Sequence, residues 1–318
     1  MPTNRAGALQ VIDPILTSIA RRYQAHGFIG EQLLPDVPVR TLTGQYFTFD
    51  KQYWFGTEVE LLSSDRSPAV ELDFEWDTET YKAERYAAKV SISDVERKQV
   101  QPGLRLEQSK AELLVQRLTL VREKRIATIL KDSDVTGGEL GASRDSTPGI
   151  NWDQATATIE ADIKTAVLDV YDAIGYAPNV IVIPYKVAYA MAVQEDIREI
   201  LKYTVNGQEV LRLGDRVLPP TLHGMRVVIP MGVQETTSNE ANPSPTFSEI
   251  WGSDVRCLYV DNAGWGTPTV AQRFVFQPVQ VRRWRSTEVK GLEYIEADEW
   301  ADEKVVAPDA GHIIKAVL

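Results

Sequence analysis

The chain is predicted to be an α+β protein, on three observations. A polar–apolar alternating stretch, Tyr81–Asp94, runs straight into a helical run from about Gly103 to Lys131. From Asn151 the pattern changes to alternating helix and strand. From Gln272 to about Glu296 it returns to long alternating strands. The 318 residues allow two domains, or one domain with extensions, and 43% hydrophobic content supports real cores and excludes general disorder.

Residues 12–27 read as a short helix. Asp13 is a good N-cap, Pro14 suits the first helical position, and Gly27 is a stop residue. Ile15, Leu16, Ile19, Ala20 and Tyr23 form one apolar stripe. The segment Phe28–Val39 is apolar with two prolines and therefore extended. Together, 1–40 reads as an arm whose stripe needs a surface on another subunit.

Residues 41–76 alternate as strands over 45–51, 58–62 and 70–76, with Tyr53, Trp54 and Phe55 clustered between them. A ribbon of this kind is too narrow to be stable alone, so it is expected to rest on a neighbour. The helical run that follows spans about 29 residues, or roughly 43 Å. Its apolar side is Leu106, Leu113, Leu114, Leu118, Val121, Ile126, Ile129 and Leu130; its wet side is Arg105, Lys110, Arg117, Arg122, Lys124 and Arg125. It ends at a polar segment, 132–149, which marks a boundary.

In the α/β part, Ile159, Ile163, Val167, Val170 and Ile174 recur at helical spacing before the stop residue Gly175. Asn179–Pro184 is a buried strand, 185–203 a helical pair, Met225–Pro230 a strand, 232–247 a mobile loop and Glu249–Val260 a strand. The apolar end Ala307–Leu318 is expected to be tucked into a sheet.

The formal net charge of −11 argues against a sequence-reading nucleic-acid binder, which usually carries a basic face, and leaves weak, non-specific contact with DNA open. No apolar run approaches the ~20 residues of a membrane span, and the first residues have no signal-peptide core. The single cysteine, Cys257, is read as a small buried hydrophobe on a strand.

The residues offer little chemistry. His26, His223 and His312 lie far apart, none in a metal-ligand spacing. Asp132–Gly137 resembles the first half of a calcium loop, but Ser143 stands where the bidentate acid is required. Asp298, Glu299, Asp302 and Glu303 form an acidic cluster that reads as a wet surface. Arg282-Arg283-Trp284-Arg285 is the one basic–aromatic cluster. Period two sends Arg283 and Arg285 one way and Arg282 and Trp284 the other, which suits cross-strand or intersubunit ion pairs better than nucleic acid. No phosphate-binding glycine loop or nucleophile elbow is present. No catalytic residue, cofactor site or metal site is assigned, and the chain is expected not to be an enzyme.

The order of parts resembles the major capsid protein of tailed bacteriophages, with the Hong Kong-97-type fold. Phe28–Pro35 followed by Gly44–Asp50 resembles that family's passage from arm to loop. Asn179–Tyr189 resembles the strand and helix of its axial domain, His223–Pro230 a later strand of that domain, and Ala310–Val317 its closing strand. The resemblance implies an N-terminal arm (1–40), an extended β-loop (41–76), a peripheral domain with a long spine helix (77–150), an axial domain (151–271) and strands that return to the peripheral domain (272–318). It further implies self-assembly through pentamers and hexamers into an icosahedral shell that encloses double-stranded DNA, a separate scaffolding protein, a portal protein, and a virion built in the host cytoplasm. Some relatives crosslink through a loop lysine; Lys51 lies in that region, but no motif identifies a partner for it. The intersubunit candidates are Ile15, Ile19 and Phe28 in the arm, Tyr53, Trp54 and Phe55 in the loop, and Arg283 and Arg285. The alternatives are an encapsulin-like nanocompartment enclosing a cargo enzyme and, last, an enzyme in the region 151–270.

Overall fold

The computed structural model describes residues 11–22, 27–49, 51, 55, 77–99, 105–131, 138–140, 144–194, 197, 218–236, 245–262, 267–287 and 289–318. Strand β1 (Val11–Ile12) leads into helix α1 (Pro14–Arg22). The predicted cap is present: Asp13 Oδ1 accepts the N–H groups of Ile15 and Leu16, both at 3.0 Å, with Pro14 in the first turn. A short helix α2 (Gly30–Leu33) and strand β2 (Asp36–Pro38) follow. Strand β3 (Thr43–Phe47) pairs antiparallel with β4 (Thr78–Lys82), and the two close the base of the predicted β-loop. The strands expected at 58–62 and 70–76 lie outside the described residues.

The alternation over Tyr81–Asp94 is two strands, not one. At Ala83, whose N–H bonds the Leu42 carbonyl, the chain leaves β3 and joins a different sheet as β5 (Glu84–Ser93). A short helix α3 (Asp94–Gln99) precedes the long helix α4 (Leu106–Ile129), which has 24 residues. Next come β6 (Asp145–Ser146), α5 (Ile159–Ile174), β7 (Val180–Val182) and α6 (Tyr185–Val193). α5 ends where predicted, with Gly175 at φ 78°, a left-handed conformation that glycine adopts without strain. Strands β8 (Thr221–Leu222) and β9 (Met225–Val228) turn tightly through His223 and Gly224, both at positive φ. The span predicted as a mobile loop, 232–247, instead begins and ends in a hairpin, β10 (Val233–Glu235) with β11 (Phe247–Glu249). Its Ser, Thr, Asn and Pro content masked the short strands. Strand β12 (Val255–Leu258), the long β13 (Ala271–Arg285) and β14 (Leu292–Val305), and β15 (Gly311–Ile314) complete the chain.

Two main sheets result. The long-strand sheet runs β1-β13-β14-β5, with β2 parallel on β13. The second runs β6-β15-β12-β7-β9-β8, so the chain's end is tucked into a sheet as expected. Helix α4 lies on one face of the long-strand sheet. There Ala111, Leu114, Val115 and Leu118 meet Ile92, Val281, Ile295 and Ala297, together with Leu16 and Ala20 of α1. This corrects one expectation about the arm: Leu16 and Ala20 are buried on their own subunit, while Ile15 stays 71% exposed. A second core fills the six-stranded sheet from Trp152, Ile163, Val187, Met191 and Cys257. A third spans both halves, joining Ile29, Leu33 and Leu34 to Ile126, Leu130, Val170, Trp251 and Leu258.

Ile126 is fully buried in that joining core. Ile126→Ala is expected to destabilise the subunit by about 2–5 kcal/mol in urea unfolding, whereas Leu113→Ala, at a half-exposed position of the same helix, is expected to change it by less than about 0.5 kcal/mol.

Candidate functional site

Three parts of the chain meet at Glu123, which is 2% exposed on α4. Its Oε1 accepts the Ile29 N–H (3.0 Å) and the Trp251 indole N–H (2.8 Å); its Oε2 accepts the Gly30 N–H (2.8 Å). The carboxylate thus satisfies the first N–H groups of α2 and fixes the turn before β12. Gly30 is required by the close approach: a Cβ there would lie 2.6 Å from Ile126 Cδ1 and 2.7 Å from Glu123 Oε2. Seven residues further along the helix, at Leu130, the fully buried Arg256 closes the C-terminus. Its Nε donates to the Leu130 carbonyl (2.8 Å), and its Nη1 to the Asp254 (3.0 Å) and Trp251 (3.3 Å) carbonyls. Burial pulls the guanidinium down to about 10, against the pull of Asp254, so it stays charged at neutral pH. Neither Glu123 nor Arg256 was singled out from sequence.

The acidic cluster is not a wet surface. Glu299 and Glu303 lie on the β14 face that meets α4, and both are buried. Arg125 holds Glu303 with two hydrogen bonds of 2.9 and 2.8 Å; Arg273 Nη2 donates to Glu299 (2.7 Å) and Nη1 to Asp36 (3.1 Å); Arg122 stands 3.6 Å from Glu299 and contacts Glu31. Arg122 and Arg125, assigned to the wet side of the helix, therefore face the sheet. The charges are legible in the sequence, but their pairing across 170 or more residues is not. At the other end of the sheet, Arg283 bonds Glu107 of α4 (2.8 and 3.1 Å) and also holds Glu293, which Arg97 holds as well. Asp298, buried on the opposite face, receives Arg85 Nε at 3.2 Å and Arg282 at 3.4 Å.

The predicted contact residues separate into two groups. Ile15 is exposed, as are Val11 (61%) and Ile12 (48%) beside it, and Arg285 is exposed at its strand end. Ile19 and Phe28 are partly buried against their own chain, and Arg283 is engaged within it. Phe55 is half-exposed and meets Tyr176 at a tilt of 54°, ring centroids 5.9 Å apart, next to Gly175; Lys51 Nζ donates to the Asp172 carbonyl. Tyr53 and Trp54 lie outside the described residues, as do His26 and the calcium-like segment.

Cys257 is fully buried on β12, and burial pushes its thiol up to about 12. His312 is buried on β15 and joins two partners that sequence reading did not bring together, Asp169 Oδ2 at Nδ1 (2.7 Å) and Ser146 Oγ at Nε2 (3.0 Å). Asp169 also receives Arg144 at 3.1 Å, so the row ties edge strand β6 to α5 and β15. Among the described residues no group of three or more His, Cys, Asp or Glu is placed to hold a metal ion, and no helix is long and apolar enough to cross a membrane.

Comparison with known proteins agrees with this architecture. No protein-family model matches the chain, and no curated protein matches it in sequence. Among solved structures, a phage-related protein from Bordetella bronchiseptica is 20% identical, with 97% of this chain and 98% of that one covered at a TM-score of 0.72. The capsid of cyanophage P-SCSP1u is 10% identical over 92% of this chain and 89% of the other, TM-score 0.58. The encapsulin SrpI of Synechococcus elongatus is 10% identical over 96% and 95%, TM-score 0.51. The chain has the α+β fold of tailed-phage capsid proteins.

Removing the Glu123 carboxylate strands three donors in a closed site. Glu123→Ala is expected to cost about 3 kcal/mol or more in denaturant unfolding, and Trp251→Phe, which deletes one donor, about 1 kcal/mol. Glu293 gives a pH test. Burial alone would raise its pKa, but Arg283 and Arg97 outweigh burial and hold it below the usual carboxylate range. Its contribution is therefore fully present above the unfolded value of about 4.3 and is lost as pH falls through the lower folded value. Glu293→Gln is expected to flatten the loss of stability below about pH 4, measured by unfolding at a series of pH values.

Proposed function

We propose that this chain is a major capsid protein that self-assembles into an icosahedral shell enclosing double-stranded DNA, with no catalytic role. The observation that carries the reading is the fold likeness, which extends over nearly the whole chain and includes phage capsids. In this reading, α4 and the long-strand sheet form the peripheral domain with its spine helix. The six-stranded sheet forms the axial domain around the pentamer and hexamer centres, and 41–76 is the loop that reaches a neighbour.

The surface fits a protein that is completed by assembly. Val11, Ile12 and Ile15 leave an apolar trio in water at the edge of a sheet, and Phe55, within the loop, is half-exposed. Many modest contacts of this kind, repeated around rings, hold a shell by avidity. The charge of −11 suits a container for DNA: an acidic wall repels phosphates and leaves the packaged duplex mobile. A scaffolding protein and a portal protein are the further partners of such a shell, and the virion capsid is its location.

Ile15→Glu changes a residue that touches little of its own subunit. It is expected to leave the unfolding midpoint unchanged and to abolish closed particles in negative-stain electron microscopy. Normal particles from this variant contradict the contact. DNA in purified wild-type particles supports the phage reading; a protein cargo without DNA replaces it with a nanocompartment.

A further inference from the structure

Ser146, His312 and Asp169 lie in a row that assembly does not use. Three elements bring them together: edge strand β6, strand β15 and helix α5. Asp169 Oδ2 stands 2.7 Å from His312 Nδ1, and Ser146 Oγ stands 3.0 Å from His312 Nε2. A carboxylate only accepts, so Nδ1 carries the ring proton and donates it to Asp169. In the neutral ring Nε2 then accepts from the Ser146 hydroxyl. A hydroxyl donating to an imidazole whose far nitrogen is held by a carboxylate is the arrangement that makes serine a nucleophile. Arg144 fixes the carboxylate in turn. Its Nη1 donates to Asp169 Oδ1 (3.1 Å) and its Nε to Asp309 (2.9 Å), which leaves Oδ2 to the histidine.

The surroundings narrow the chemistry open to this serine. The Arg144 and Ser146 carbonyls accept the Ile313 (3.1 Å) and Lys315 (2.8 Å) N–H groups across the parallel pair. By the alternation of that ladder the Thr147 N–H, next along, turns away from β15, and it has no partner among the described residues. β6 ends the sheet order, so Ser146, itself partly exposed, sits at the rim where a small carbonyl compound can reach it. A single backbone donor stabilises an oxyanion only weakly. That is too little for an amide, whose nitrogen leaves poorly, and suits an acyl group carried on a good leaving group.

We propose that Ser146 is a covalent acyl-acceptor site for a small activated ester or thioester. Its Oγ attacks the acyl carbon while His312 Nε2 takes the hydroxyl proton. The Oγ–C bond forms, the bond from that carbon to the leaving oxygen or sulfur breaks, and His312 returns the proton to the leaving group. The products are one acyl-serine and one alcohol or thiol. Asp169 is a positioning residue that holds the imidazole in the accepting tautomer. Release of the acyl group needs a water activated by the same Nε2. His312 is 3% exposed and leaves that water little room, so the acyl-serine persists and the subunit is modified once rather than turning over.

The test treats the full-length protein with p-nitrophenyl acetate and, in parallel, with a fluorophosphonate, and locates each adduct by peptide mass spectrometry. A burst of about one p-nitrophenol per subunit is expected, with the acetyl group on Ser146. The native protein is expected to react there about a hundredfold or more faster than the same chain unfolded in urea. Ser146→Ala, at a partly exposed position, is expected to abolish the adduct with the unfolding midpoint unchanged. Asp169→Asn is expected to slow acetylation at saturating ester by about a hundredfold while the half-saturating ester concentration holds. An unmodified Ser146, or equal rates in native and unfolded protein, overturns the proposal. Equal rates in wild type and Asp169→Asn overturn the positioning role, and steady p-nitrophenol release after the burst overturns the persistent acyl-serine. Particle formation is read separately by electron microscopy, so either reading can fail without the other.

Discussion

The structure depends on one buried carboxylate. Glu123 sits in the middle of a long helix, with no cation paired to it among the described residues, and is held by three N–H donors from two distant stretches of chain. A helix of 24 residues lying on a sheet has no reason of its own to hold a second sheet at a fixed angle. Glu123 supplies that reason. It fixes the passage out of the arm on one side and Trp251 on the other, and Arg256 then anchors the end of the same helix to the strand that follows Trp251. A few hydrogen bonds, all away from water, therefore set how the two halves of the subunit meet. In a shell, that geometry is repeated in every copy.

The contact between α4 and the long-strand sheet is built on a second principle. Leucine, valine and alanine pack its lower half, while Arg122, Arg125, Arg273, Glu299 and Glu303 fill its upper half. Buried ion pairs add little to stability over well-packed apolar side chains, since desolvation offsets most of the attraction, but they penalise any other register. Here they specify which turn of the helix lies over which rung of β13 and β14. Arg283 and Glu107 do the same at the far end. In the proposed shell, where each copy would have to match its neighbours, a fixed register is worth more than a further increment of stability.

Local signals were legible in the sequence. The Asp13–Pro14 cap, the spacing of Ile159 to Ile174 with its glycine stop, the long helix, the paired return strands and the buried Cys257 all follow from neighbours a few residues apart. What was missed involves partners far apart in sequence. The acidic run 298–303 looks wet until arginines more than 170 residues away are laid over it, and His312 looks solitary until Ser146 and Asp169 arrive beside it. The hairpin at 233–249 was hidden by loop-like composition. Of the contact candidates, Ile15 keeps the exposure an interface needs, whereas Phe28 and Arg283 are engaged at home. Period two separated Arg283 from Arg282 correctly, but it does not say whether the partner belongs to the same subunit.

The central claim is that the subunit exists to assemble, and the most direct measurement is the mass of the overexpressed wild-type protein by light scattering, paired with electron microscopy of the same sample. The account predicts uniform hollow particles or capsomer rings of many copies. A monodisperse species of 35.6 kDa at every concentration, with no rings or shells in the field, contradicts it.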